Sequence, residues 1–184
     1  GISTVVLVSL NQQDQLIRQQ EHALLLNLYT NFLGTVDERS SKAATIATTI
    51  AGLEDVQRLF AQQDRDGLYQ FLQNDYQILS QEYGVSQAQF HLPPATSFLR
   101  LNKPDKYGDD LSSYRATVVT ANQEHRAVAG LEAGVTGYGI RGVVPVQYQG
   151  KDIGTFEIGL AFDQGFLDEF KEIYGQDTSI FIPD

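Results

Sequence analysis

Cysteine, methionine and tryptophan are all missing from this 184-residue chain. The absence of Cys excludes disulfides, thiolate nucleophiles and Cys-ligated zinc or iron–sulfur sites. Basic charge is scarce: 13 Lys and Arg stand against 23 Asp and Glu, for a formal net charge of −10. No run of Lys or Arg occurs, so a nucleic-acid surface, which depends on clustered cations, is not expected. His22, His91 and His125 lie far apart without ligand spacing, and no metal or cofactor is expected. No apolar run approaches the roughly 20 residues that span a bilayer. The opening Gly-Ile-Ser-Thr-Val-Val-Leu-Val-Ser-Leu reads either as the soluble end of a membrane helix or as the first turns of a buried one.

Residues 3–51 contain no Pro, and apolar residues recur along them at helical spacing, including Ala43, Ile46, Ala47 and Ile50. One helix of that length would run on the order of 70 Å. It therefore reads as a stalk that pairs with a second copy, with the Gln-rich face (Gln12, Gln13, Gln15, Gln19, Gln20) solvated. The division is a stalk and dimerisation helix over 1–52 and a globular domain over 53–184. Gly52 breaks the helix, a short helix follows over 54–61, and Asp64 or Asp66 caps another over 67–83 that Gly84 ends.

Beyond Gly84 the apolar period falls from 3.6 to 2. Strands are expected at 87–92 and 96–101, separated by Pro93-Pro94, which favours an extended connection over a tight ladder. Alternation would place Phe98, Arg100 and Asn102 on one face. A helix over 112–122 follows, capped by Asp110 or Ser112, with Arg115 in its first turn. A cation suits that end of the helix dipole poorly, so Arg115 either points to solvent or is held by an anion. Strands at 127–132, 138–148 and 152–162 come next, the last two joined by a turn at Gln149-Gly150-Lys151. Asp163 caps a helix through 174, and a short strand over 178–182 closes the chain. The order defines an α+β fold: an antiparallel sheet of five to six strands with a long N-terminal helix.

Arg141 is out of place in its strand, where Val or Ile would be expected. A buried guanidinium needs an anion, supplied either by Glu157 or Glu132 on a neighbouring strand or by a ligand. Asp109-Asp110 reads as turn and cap chemistry rather than as an acid–base pair. Gly-Tyr-Gly-Ile-Arg-Gly at 137–142 lacks the spacing and the Lys-Ser/Thr of a phosphate loop, and no serine nucleophile elbow is present. The chain is read as a binding module and not as an enzyme.

The run Gly-Tyr-Gly-Ile-Arg-Gly-Val-Val-Pro-Val, the following Gly-Lys-Asp-Ile-Gly-Thr-Phe-Glu-Ile-Gly-Leu and the upstream Phe-Leu-Arg-Leu-Asn-Lys-Pro at 98–104 carry a resemblance. In this order they are similar to the extracytoplasmic Cache (PAS-like) sensor domains of bacterial chemoreceptors, sensor kinases and diguanylate cyclases. In the dicarboxylate and citrate sensor kinases of that group, an Arg-x-x-His-Pro sequence supplies two carboxylate ligands. Arg100 and Lys103 fall on it here, with Lys in place of His. Arg141 matches the further Arg ligand before the Pro-Val pair, and Tyr107, Tyr114, Tyr138 and Arg115 complete the candidate site.

The resemblance implies a small carboxylate ligand, a homodimer through the N-terminal helix, and a membrane-anchored, periplasmic receptor carrying a second, membrane-proximal module. The alternatives are a dimerisation or partner-binding module without a small ligand, and a hydrolase or lyase using Asp or Glu as base.

Overall fold

The structure is a computed structural model that describes residues 2–134 and 137–180, with side chains from residue 12 onward. The first helix, α1, spans Ile2–Ala51. The chain divides into two compact units, Gly1–Thr35 and Val36–Asp184. In the first, the Gln-rich face is exposed as expected, but so are Leu16, Ile17, Leu24, Leu25, Leu26, Tyr29 and Leu33. The side-chain packing of the opening ten residues lies outside the described residues. No helix among the described residues is long and apolar enough to cross a membrane.

In the second unit, the end of α1 is followed by α2 (Glu54–Ala61) and α3 (Arg65–Tyr83). Asp64 accepts a hydrogen bond from Gly67 N at the start of α3, and Gly84 ends it in the left-handed conformation. Strands β1 (Val85–Leu92) and β2 (Thr96–Arg100) come next, then α4 (Ala116–Glu124), β3 (Val128–Gly134), β4 (Gly137–Tyr148), β5 (Lys151–Ala161) and α5 (Gln164–Tyr174). The five strands form one antiparallel sheet in the order β2-β1-β5-β4-β3. Residues 178–180 carry no strand, and the remainder of the expected closing strand lies outside the described residues.

Strand alternation gives the sheet two different faces. Phe90, Phe156, Ile158, Val144 and Gly142 share one, by the register of β1, β5 and β4. Phe60 of α2 packs on it, its ring 5.1 Å from that of Phe90, which lies 4.3 Å from Phe156. The packed end of α1 crosses the same face at Gly142, where a Cβ would stand 2.6 Å from the backbone carbon of Ala43. Only glycine allows that approach. The opposite face carries Gln87, Gln89, Glu157 and Arg141, together with Val143. Val143 joins Ala95, Leu111, Val118 and Ala121 in a smaller apolar core beneath α4.

Three local expectations are corrected. Leu92 pairs directly with Thr96, so β1 and β2 form a hairpin with Pro93 and Pro94 in its turn, where neither needs a backbone N–H. The register slips within that hairpin, with Phe90 opposite Leu99 and His91 opposite Ser97. This bulge turns Phe98 away from Arg100, towards Phe60, with ring centroids 5.2 Å apart. Finally, the helix expected over 112–122 begins at Ala116. Asp110 caps a turn instead, accepting from Ser112 N and Oγ, and Arg115 stands at the N-cap position without a side-chain cap bond of its own.

Candidate functional site

The polar face of the sheet, the loop after β2 and the start of α4 border a half-open cavity of about 470 Å³. Arg100, Lys103, Tyr114, Arg115, Tyr138 and Arg141 all line it, although they come from separate stretches of the chain. Tyr107 lies elsewhere: the Arg65 guanidinium sits 3.9 Å above its ring, and Arg65 also donates to the Pro104 carbonyl at 2.6 Å. The cluster places Tyr107 in the anchoring of the loop.

The floor of the cavity is ionic and internally matched. Arg141 donates through Nη1 to Glu157 Oε1 at 2.6 Å and to Gln87 Oε1 at 2.7 Å. Arg115 donates through Nη2 to the other Glu157 oxygen at 2.5 Å and through Nε to Glu132 Oε2 at 2.8 Å. Arg115 and Arg141 are thus both held by protein carboxylates at close range. Glu132 also accepts from Thr117 N at 2.8 Å and Thr117 Oγ1 at 2.6 Å. A carboxylate from β3 thus caps α4 and offsets the unfavourable placing of a cation at its N-terminus. The Arg141 guanidinium fits because Gly134 and Gly139 flank it; a Cβ on Gly134 would stand 2.5 Å from Nη2.

Glu157 is fully buried. Burial pushes its carboxyl up, but the Arg115 and Arg141 charges overcome this and hold it at about 2. His91, also fully buried, donates to or accepts from Thr155 Oγ1 at 3.2 Å through Nδ1. Desolvation lowers its imidazole to about 3 against the pull of Glu157. Its approach to Glu157 Oε2 at 3.5 Å is therefore that of a neutral ring near neutral pH. Neither group is matched to proton transfer at that pH.

His91 makes stability pH-dependent in a definite direction. Its folded value lies below its ordinary 6.5, so between 6.5 and about 3 the unfolded chain takes up a proton that the native state refuses. Stability is full above 6.5 and falls on acidification. The Glu157 contribution begins to fall only below about 4.5. Between 6.5 and 4.5, then, denaturation midpoints are expected to drop with a slope approaching one proton, and His91→Gln to flatten that slope. Equal slopes in the two proteins would show that the imidazole is not held neutral.

At the rim the balance differs. Arg100 holds Asp109 in two parallel hydrogen bonds of 2.7 and 2.8 Å, and this, against a smaller desolvation effect, brings the Asp109 carboxyl to about 2. Lys103 and Lys106 line the same cavity and have no carboxylate within 4.0 Å among the described residues. Two donors below them, Gln89 Nε2 and Arg141 Nε, also have no hydrogen-bond partner among the described residues. Sequence reasoning overlooked Gln87, Gln89 and Lys106. The alternation Gln87, Gln89, His91 against Ala88, Phe90, Leu92 marked a polar face on a central strand; nothing local marked Lys106.

A helix-backed antiparallel sheet with a polar cavity on its other face defines a PAS-like sensor fold. The chain belongs to the dCache_3 family, described as the double sensory domain of two-component sensor kinase, matched over residues 18–184. No curated protein sequence matches it significantly. Among solved structures it is similar to the sensor domain of the V. cholerae histidine kinase DctB, with a TM-score of 0.63 at 13% identity, covering 89% of this chain and 61% of that one. The chain thus spans about three fifths of the Vibrio domain. The E. coli DcuS sensor domain superposes with a TM-score of 0.58 at 14% identity, over 77% of this chain and 98% of that one. The ligand-binding domain of the Campylobacter jejuni chemoreceptor Tlp3, solved with 4-methylisoleucine, gives 0.53 at 12% identity, over 82% and 58%. At these identities the likeness is one of fold.

Proposed function

We propose that the chain is the extracytoplasmic ligand-binding module of a transmembrane signalling receptor, and that it senses a small organic anion through a carboxylate. One observation carries this reading. A cavity of about 470 Å³ is rimmed by two lysines, Lys103 and Lys106, that have no carboxylate within 4.0 Å among the described residues, while the other lining cations are already paired. The ligand carboxylate is clasped at Lys103 and Lys106 by charge-assisted hydrogen bonds, with Tyr114 and Tyr138 on the walls. Arg100, Arg115 and Arg141 shape the cavity and lend their remaining N–H groups. Periplasmic exposure, membrane anchoring, pairing of two copies through the apolar residues of α1 and a second, membrane-proximal module complete the proposal.

Output follows from the sheet. Arg141 lines the cavity, and the next residue, Gly142, touches the α1 backbone at Ala43 on the other face. A ligand that favours one setting of β4 therefore biases α1, by as much as its affinity differs between the two settings. Titration calorimetry against acetate, pyruvate, lactate and short dicarboxylates is expected to find a binder. Lys103→Ala and Lys106→Ala should each weaken it by about tenfold or more without lowering the melting temperature. The pairing of Arg100, Arg115 and Arg141 with internal acids favours the rival reading, a partner-binding module without a small ligand. Silence across that panel, with both lysine variants indistinguishable from the parent, would establish the rival.

A further inference from the structure

We infer that the floor at Gln89 and Arg141 receives a neutral carbonyl-type oxygen, so that the ligand is a monocarboxylate with a ketone or amide group at its far end and not a dicarboxylate. This rests on the carboxylate-sensing reading and extends it to the other end of the molecule.

The charge inventory decides. The floor presents two guanidinium groups, Arg115 and Arg141, and they are joined at 2.5 to 2.8 Å to two carboxylates that do not line the cavity, Glu132 and Glu157. His91 beside them is neutral near neutral pH. The sum is zero. Asp163 adds a further carboxylate to the cavity wall. A second ligand carboxylate there would lose its water without gaining a net counter-charge, and it would face Glu157 across the same guanidinium groups. Hydrogen-bond donors are nonetheless in surplus on this floor. Gln89 is 4% exposed and Arg141 3%, and among the described residues neither Gln89 Nε2 nor Arg141 Nε has a hydrogen-bond partner, Glu132 Oε2 standing 3.8 Å from Arg141 Nε. Buried donors of this kind call for an acceptor, and a neutral oxygen meets that demand without importing charge. Among the described residues, the lining cations with no carboxylate within 4.0 Å are Lys103 and Lys106, at the rim. The cavity therefore has one anionic station and one neutral acceptor station.

Three probes built on one four-carbon chain test this on the intact chain: succinamate, succinate and butanoate, each titrated by calorimetry near neutral pH. Succinamate is expected to bind at least about tenfold more tightly than either of the others, because it alone offers a carboxylate at one end and a neutral oxygen at the other. Gln89→Leu is expected to bring succinamate down to the level of butanoate and to leave butanoate unchanged. Succinate binding as tightly as succinamate, or more so, would overturn the inference while leaving carboxylate sensing intact. An unchanged succinamate-to-butanoate ratio in Gln89→Leu would equally remove Gln89 from the site. Should none of the three bind, the inference falls, and carboxylate sensing is then decided by the acetate, pyruvate and lactate titrations.

Discussion

Glu157→Ala is expected to be the most damaging single substitution in the globular unit. It removes the carboxylate that both Arg115 and Arg141 grip, at 2.5 and 2.6 Å, and leaves Glu132 as the one acid among the described residues within 4.0 Å of the two buried guanidinium groups. Breaking a buried pair from one side costs about 3–5 kcal/mol, because the surviving charge remains without water or partner. In a chain of this size each kcal/mol moves the melting temperature by about 2–4 °C, so a fall of about 10 °C is expected by calorimetry, with loss of soluble yield. Glu157→Gln should recover part of the loss, since its side-chain carbonyl still accepts one of the two hydrogen bonds. A melting temperature within a degree or so of the parent for Glu157→Ala would mean that the network does not hold the sheet.

The second large effect belongs to the other face. In Gly142→Ala, the new methyl group meets the backbone of Ala43 and Ala44, neither of which can swing aside as a side chain would. Either α1 retreats from the sheet or β4 bows away from it. The cost is about 3 kcal/mol, at the upper end of overpacking effects. It should appear as a melting temperature lower by about 6–12 °C. Because Ala43 and Ala47 are fully buried, exchange of the amide hydrogens around them should accelerate more than exchange in α3. Uniform acceleration across all helices would place the damage elsewhere.

What could be read from the sequence was local. Asp64 and Gly84 bracket α3, Asp163 and Gly175 bracket α5, and Gln149-Gly150 turns β4 into β5, each through contacts with near neighbours in the chain. The candidate cavity was largely legible too, since Arg100, Lys103, Tyr114, Arg115, Tyr138 and Arg141 converge on it. What escaped was set at a distance. The start of α4 depends on Glu132, a carboxylate that β3 brings back to Thr117, and no window around residue 116 contains it. The bulge that separates Phe98 from Arg100 is a property of the pairing between β1 and β2, not of either strand. Most consequentially, a count of cations does not reveal which already have an anion. Arg115 and Arg141 each have one within 2.6 Å, whereas Lys106, which no pattern singled out, has none within 4.0 Å among the described residues.

The same arrangement bears on the order in which the sheet is assembled. Arg141 and Glu157 are 16 residues apart on one hairpin, and Arg115 and Glu132 are 17 apart across α4 and β3. Each acid can therefore find its base over a short loop, at small entropic cost, before the wider sheet closes over them. Bringing the two halves together then asks the nascent protein to dehydrate two neutral couples instead of four lone ions.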